Sequence, residues 1–231
     1  YVFCGRHLLV SYLRTSNRSD SRHSWAILAL LVKFIRQYWP DTRIVFRGDS
    51  GFYRPRLLSW CDRNNVDYLV GISKNSRLLK EVDVPMMLVR KTQWQVGGKV
   101  AGTFRFQYQA HSWKYSRWVV ARLEEGELGS NPRFIISSRY DDGFKLYYEQ
   151  YCARGDMENR IKDQQLSLFA DRTSSTHWWA NQWRLILSGF AYTLFERLRT
   201  YLKKTPFERM SPSNLRLKLI KVGAVIIRNT R

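Results

Sequence analysis

The spacing of apolar residues changes several times along the chain, and each change predicts a different element. YVFCG and HLLVSYLR are short aliphatic and aromatic runs separated by a glycine, the pattern of two paired strands. The polar stretch TSNRSDSRHS reads as a loop. SWAILALLVKFIRQYWP then carries apolar residues around most of a helix, with Ser24 available as its N-cap and Pro40 closing it, so a largely buried helix is expected. TRIVF is a buried-type strand that stops at Arg47-Gly48-Asp49. RPRLLSWCDRNN places Leu57, Leu58 and Cys61 at helical spacing, and VDYLVGIS is a second apolar strand. Helix, strand, helix, strand is the order that favours a parallel strand pair in an α/β sheet.

Residues 92–140 have another texture. TQWQV, TFRFQYQ, RWVVARL and RFIISS alternate or run apolar, with turn signals at Gly97-Gly98, Gly126 and Asn131-Pro132, and they predict four antiparallel strands. From Asp142 the helical period returns through LYYEQYCARGDMENRIKDQQLSLF. ADRTSS, residues 170–175, reads as a hinge and N-cap region before the aromatic helix WWANQWRLILSGFAYTLFERLRTYL. LRLKLIKVGAVIIR fits a basic helix or a strand equally well.

Composition narrows what such a chain can do. With 231 residues, 44% hydrophobic and 15% aromatic, it can bury a sizeable core. Its 39 Lys and Arg against 19 Asp and Glu give a formal charge of +20, spread along the whole length. A polyanion partner is the physical expectation, since neutralising phosphates releases counterions. Cys4, Cys61 and Cys152 are too scattered for a disulfide framework and suit a reducing compartment. His7, His23, His111 and His177 lack the spacing of zinc ligands. No apolar run is long enough to cross a membrane and no signal-peptide pattern is present, so Arg47-Gly48-Asp49 lacks the secretory premise of an adhesion tripeptide. The opening residues read as structure already in progress, and a fragment of a longer protein is expected.

Asp49 stands where an apolar strand ends and a Ser-Gly turn begins. In open α/β sheets functional groups gather at the carboxyl ends of strands. A second constellation follows at Tyr151, Arg154, Glu158, Lys162 and Gln165, which at about 100° per residue fall within roughly 40° of one helical direction. By themselves Arg154, Glu158 and Lys162 would be ordinary i,i+4 pairs on a solvated face.

Tyr-x2-Arg-x3-Glu from Tyr151, preceded by the strand-end turn Asp-Ser-Gly-Phe at Asp49, resembles bacterial insertion-sequence transposases of the DDE class, group one in particular. GRHLL, WCDRNNVDYLVGI, NPRFIISS, ENRIKDQQLSLFADRTSS and LKLIKVGA extend the likeness over nearly the whole chain. The resemblance implies an α/β fold: a ribonuclease-H-like mixed sheet with flanking helices and a β-rich insertion between the second and third catalytic carboxylates. On that plan residues 1–91 begin the core, 92–140 form the insertion and 141–231 carry the glutamate and the C-terminal helices. The implied activity is cleavage and strand transfer of insertion-sequence ends, with DNA as partner, a homodimer in the DNA complex, no membrane, and a bacterial cytoplasmic location, at the nucleoid when acting. The implied cofactor is a two-metal site of Mg²⁺ or Mn²⁺. Asp49 matches the second aspartate and Glu158 the glutamate, as catalytic and metal-binding residues. Tyr151 and Arg154 match residues that support the glutamate helix and touch backbone phosphate.

Two positions depart from the family pattern. Where the family carries a lysine after the glutamate this chain has Gln165, so either Lys162 on the same face or Gln165 itself takes that role. No residue matches the first aspartate; Asp20 lies in a polar loop, the wrong place on this topology, and the chain alone is expected to be catalytically defective. A non-catalytic basic DNA-binding derivative, or a ribonuclease-H-like nuclease, are the alternatives. Arg43, Arg47, Arg54, Arg56, Lys74 and Arg77 cluster in sequence around the candidate edge as a phosphate track or as surface charge, and Arg172 is a further candidate DNA contact. Trp179 and Trp183 recur beside Leu185 and Ile186, so core or interhelix packing is expected for them, with base stacking by Trp178, Trp179 and Trp183 as the alternative.

Overall fold

The computed structural model describes residues 1–17, 21–225 and 228. Asp20, considered above as a ligand, lies outside the described residues, as do Ile226 and Ile227 of the basic tail. In chain order the elements are β1 (Val2–Cys4), β2 (His7–Val10), α1 (Ser24–Tyr38), β3 (Val45–Gly48), α2 (Pro55–Arg63), β4 (Asp67–Ile72), α3 (Ser76–Glu81) and α4 (Asp83–Val96). Then come β5 (Val100–Tyr108), β6 (Arg117–Gly126), β7 (Gly129–Ser130), β8 (Arg133–Ser137), α5 (Asp156–Lys162), α6 (Trp178–Tyr201) and α7 (Pro212–Leu215). The chain forms two compact bodies, one from Ser16–Arg154 and one from Tyr1–Thr15 with Gly155–Arg231.

The first body is built on a mixed sheet in the order β3-β4-β8-β6-β5, with β7 paired to β6. β3 and β4 are parallel, as expected from their order with α2 between them. The remaining pairs are antiparallel, and β8 joins β4 directly, so the expected antiparallel strands extend the same sheet. Side-chain alternation sorts the strands between two cores. Tyr68, Val70, Ile72, Val119, Ala121, Phe134 and Ile136 pack with the buried side chains of α1 to α4. Leu69, Val120 and Ile135 point the other way, against Leu146 and Tyr147. A strand covered on both faces loses polar alternation, and this is why DYLVGI reads as a continuous apolar run.

Three local expectations are corrected. TQWQV is the last part of α4, because nothing breaks that helix until Gly97 and Gly98, both with positive φ, turn the chain into β5. Pro85 is tolerated in α4 because it lies in the first turn, where its missing N–H has no intrahelical partner. In α1, Ser24 is the first helical residue and does not cap it; His23 stands before it at φ 65°. That helix is also less buried than its composition suggests: Leu28 and Val32 face the core while Leu30, Phe34 and Tyr38 are exposed. Arg36 fixes its far end by donating to the carbonyl oxygens of Asn64 and Asn65 behind α2.

In the second body β1 and β2 form an antiparallel hairpin against α6. Gly189 permits the approach, since a Cβ there would meet Leu8 at 3.0 Å. Gln182 satisfies the backbone after β2, accepting from Leu13 N and donating to Ser11 O, and the Tyr192 hydroxyl donates to Arg6 O. Arg199, almost fully buried, donates to the carboxylates of Asp163 and Glu196 and to Met210 O, so its charge is paired from several sides. Trp179 and Trp183 are 78% and 58% exposed, which overturns the expectation that they pack in a core; Leu185 and Tyr192 are the buried hydrophobic residues of α6. The basic tail is helical through Ile220, resolving one of the two readings of that segment.

The three thiols differ sharply in environment. Cys4 and Cys152 are exposed and free, whereas Cys61 is buried in α2 and burial pushes its thiol up to about 12. Folding therefore favours neutral Cys61: this contribution to stability is complete below the ordinary thiol value and is lost as pH rises from there toward about 12. Brief alkylation near pH 8 is expected to modify Cys4 and Cys152 and to reach Cys61 only after denaturant is added, a result read directly by peptide mass.

Candidate active site

Asp49 leaves the carboxyl end of β3 and is exposed to solvent. Its Oδ1 accepts a hydrogen bond from Gly51 N at 2.8 Å, and the chain turns through a 3-10 helix at Ser50–Phe52. Asp49 is thus both a turn residue and a carboxylate presented at a sheet edge. A side chain anchored through one oxygen on a rigid strand end loses little freedom when it binds a ligand through the other.

The neighbouring strand makes room for this turn. Gly71 in β4 lies beneath it, and a Cβ added there would meet Ser50 N at 2.9 Å, Asp49 C at 3.2 Å and the Tyr151 hydroxyl at 2.6 Å. Gly71 is consequently a residue of the site, although it carries no chemistry. It was not singled out by its sequence, but a glycine inside an apolar strand is a recognised sign of close backbone approach.

Tyr151 reaches this place at the end of a π-helical stretch, Lys145–Tyr151, introduced by Asp142, whose Oδ1 accepts from Lys145 N. Leu146 and Tyr147 anchor the stretch in the core, and burial raises the Tyr147 phenol to about 12. Arg47 Nη1 donates to Gln150 O at 2.7 Å, tying β3 to the same turn, and Arg139 Nη1 donates to Gln150 Oε1. The Arg154 guanidinium lies 4.9 Å from the centre of the Tyr151 ring. Asp49, Arg47, Tyr151 and Arg154 are therefore gathered at one edge of the first body.

A family model described as Transposase DDE domain group 1 matches residues 1–231. The chain belongs to this transposase family. Membership implies DNA as substrate and phosphodiester cleavage and transfer as the class of reaction, in a family that generally uses divalent metals. No match among curated proteins was found.

In this transposase domain the remaining candidate residues belong to the second body. Glu158 is exposed on α5, where Asp156 and Arg160 form an i,i+4 ion pair. Lys162 and Gln165 are exposed, whereas Gln164 between them is fully buried. The segment is not one regular α-helix. A π-helix ends at Tyr151, a 3-10 turn covers Cys152–Gly155, α5 follows, and a second π-helix covers Asp163–Ser167. A constant 100° step, on which the single-face reading rests, does not apply through these changes of pitch.

The basic residues around Asp49 divide by what they touch. Arg43 pairs with Asp67, Arg54 donates to Ser21 Oγ, and Arg56 lies over the Trp25 ring at 4.1 Å, so these three have structural contacts. Lys74 and Arg77 are exposed just beyond the carboxyl end of β4, beside the parallel β3 that carries Asp49. Among the described residues there is no cluster of three or more His, Cys, Asp or Glu side chains able to hold a metal, and no helix long and apolar enough to cross a membrane. The donor chemistry of Asp49 nevertheless suits a hard cation, which takes one or two carboxylates and completes its shell with water and phosphate oxygens.

Proposed function

We propose that the chain is the catalytic portion of a DNA transposase in which Asp49 and Glu158 hold divalent metal for cleavage and strand transfer of insertion-sequence ends. The observation that carries this reading is the docking of Tyr151, the first residue of the Tyr-x2-Arg-x3-Glu signature, over Gly71 beside Asp49 and Ser50. Two widely separated segments that resemble the family motif thus approach each other around Gly71. When bound, a pair of Mg²⁺ or Mn²⁺ ions supplies Lewis acidity to the attacking and leaving oxygens of an in-line displacement.

The side chains have separable tasks. Asp49 and Glu158 offer hard carboxylate oxygens. Arg154, oriented by its contact with the Tyr151 ring, presents a planar fork to a backbone phosphate. Arg47 holds the Gln150 carbonyl and keeps the Tyr151 turn against β3, with its exposed face available to phosphate. Lys162, Gln165 and Arg172 extend the phosphate contacts in the second body, and two copies act together on paired DNA ends. Because no residue of the chain matches the first carboxylate of the family pattern, a further acidic side chain completes the metal site, and every nicking assay supplies it by complementation.

Electrostatics supply the first test. If three backbone phosphates are neutralised, DNA affinity is expected to fall about 40-fold between 50 and 200 mM salt, from a slope near −0.9 per phosphate. A flat dependence in a filter-binding or anisotropy titration contradicts the DNA reading. Nicking of end-containing duplex that requires Mg²⁺ or Mn²⁺, and is lost in Asp49→Ala and Glu158→Ala, tests the catalytic assignment. Salt-sensitive binding without metal-dependent nicking under any complementation favours the non-catalytic alternative.

A further inference from the structure

Away from Asp49, the second body contains an open concavity of about 900 Å³ between the loop at residues 168–174 and one face of α6. Its walls carry Phe169, Arg172 and Ser174 from the loop, and Arg184, Leu187 and Ser188 from the helix. Positions 184, 187, 188 and 191 recur at the three- and four-residue spacing of one helical face, so the cleft is built by a single regular surface.

Several independent features make this more than a surface dent. Phe169 adopts φ 59°, a left-handed conformation unusual for an aromatic residue, and its carbonyl accepts from Arg172 N in a tight turn. The turn is fixed from behind, where Gln164 O accepts from both Leu168 N and Ala170 N. It places the Arg172 guanidinium 4.1 Å from the centre of the Phe169 ring, and Arg184 Nη1 donates to Ser174 Oγ at 2.9 Å. Both guanidiniums are thus oriented, one by a ring and one by a hydroxyl. Ser188 is only 5% exposed and its Oγ has no hydrogen-bond partner among the described residues.

The wall chemistry selects a class of ligand. Two guanidiniums suit a phosphate ester, and the Asp171 carboxylate on the rim opposes simple accumulation of anions. Leu168, Leu187 and Ala191 give an apolar wall that inorganic phosphate would not use, while a purely apolar ligand would leave the arginines unused. A nucleotide has both parts. In a duplex, however, the base faces are stacked and the edges paired, so a base that enters a cleft must first be unpaired.

We infer that this cleft holds one unstacked nucleotide of single-stranded DNA, its phosphate between Arg172 and Arg184 and its base against Leu187 and Ala191. The inference rests on the DNA reading above and specifies the strand state that this second surface recognises. It does not depend on Asp49, Glu158 or metal.

The test compares an oligonucleotide of eight thymidines, an end-containing duplex, thymidine monophosphate and inorganic phosphate on the full chain without metal. Ala191→Trp keeps both arginines and fills the space for the base. It is expected to weaken the single strand at least about tenfold, in line with the contribution of one stacked base, while duplex affinity changes less than about twofold. Leu187→Trp, at a position 49% exposed, fills the cleft from the rim and should act alike if Ala191→Trp fails to fold. Equal loss of single strand and duplex, or unchanged single-strand binding in a folded filled variant, overturns the inference. Competition by inorganic phosphate as effective as that by the monophosphate removes the base from the site. A monophosphate that binds as tightly as the oligonucleotide assigns the cleft to free nucleotide and overturns the strand assignment. Absent nicking under complementation, with intact, Ala191→Trp-sensitive single-strand binding, defeats the catalytic reading and leaves the cleft standing.

Discussion

Gly71→Ala is expected to disable the site from beneath while leaving every charged residue in place. An added methyl would lie 2.9 Å from Ser50 N and 3.2 Å from Asp49 C, both main-chain atoms, and 2.6 Å from the Tyr151 hydroxyl. The phenol can move away; the turn that carries Asp49 cannot do so without shifting the carboxylate. Overpacking of this kind costs about 1–3 kcal/mol, which lowers the urea midpoint. A displacement of about 1 Å at the reacting centre costs about 100-fold in rate, so metal-dependent nicking should fall by that order. Adding Tyr151→Phe should not restore it, because the backbone crowding remains. Gly102→Ala in β5 is the control: a Cβ added there meets no atom within 4 Å beyond its own chain neighbours, and its stability and nicking should match the parent. Nicking by Gly71→Ala equal to that of Gly102→Ala would show that the Asp49 turn is not positioned by β4.

Asp49→Ala and Glu158→Ala are expected to act as one lesion. Removal of residues that merely support a metal ligand typically lowers affinity or activity about 10–100-fold, and loss of a ligand should cost at least the upper end of that range. If both carboxylates serve the same metal, either substitution removes most of the function and the double variant is little worse than a single one. Asp49→Asn keeps the hydrogen bond from Gly51 N available to a neutral oxygen, so its fold should survive while metal binding fails. Independent, multiplying losses in the double variant would mean that the two carboxylates belong to different sites. Mn²⁺ titration followed by electron paramagnetic resonance measures this without requiring turnover.

Much of the sheet was legible because its periodicities are simple. TRIVF and VDYLVGIS are short apolar runs bounded by polar residues, and the parallel pairing of β3 with β4 follows from the helix between them. The place of Asp49 was legible for the same reason, as the carboxylate at the end of a strand. Trp94 and Val96 misled because two apolar residues at alternate positions fit a strand as well as the end of a helix; the decision came from α4, which had no breaker before Gly97. Trp179 and Trp183 misled because period alone does not say which side of a helix is covered. The π and 3-10 segments around Glu158 were hidden altogether, since they use the same residues as an α-helix and differ only in which carbonyl accepts. Gly71 lay in plain view, but its role comes from what crosses above it, the Asp49 turn and a tyrosine far along the chain.

The claim on which the proposed function turns is that Asp49 and Glu158 bind the same metal. Iron-directed backbone cleavage tests it most directly: Fe²⁺ is supplied in place of Mg²⁺, ascorbate and peroxide generate hydroxyl radical at the bound ion, and the cut positions are read by mass. Cuts are predicted beside both Asp49 and Glu158, and Asp49→Ala should abolish both sets, as should Glu158→Ala. Cuts beside Glu158 that persist in Asp49→Ala, or beside Asp49 in Glu158→Ala, would contradict a shared site.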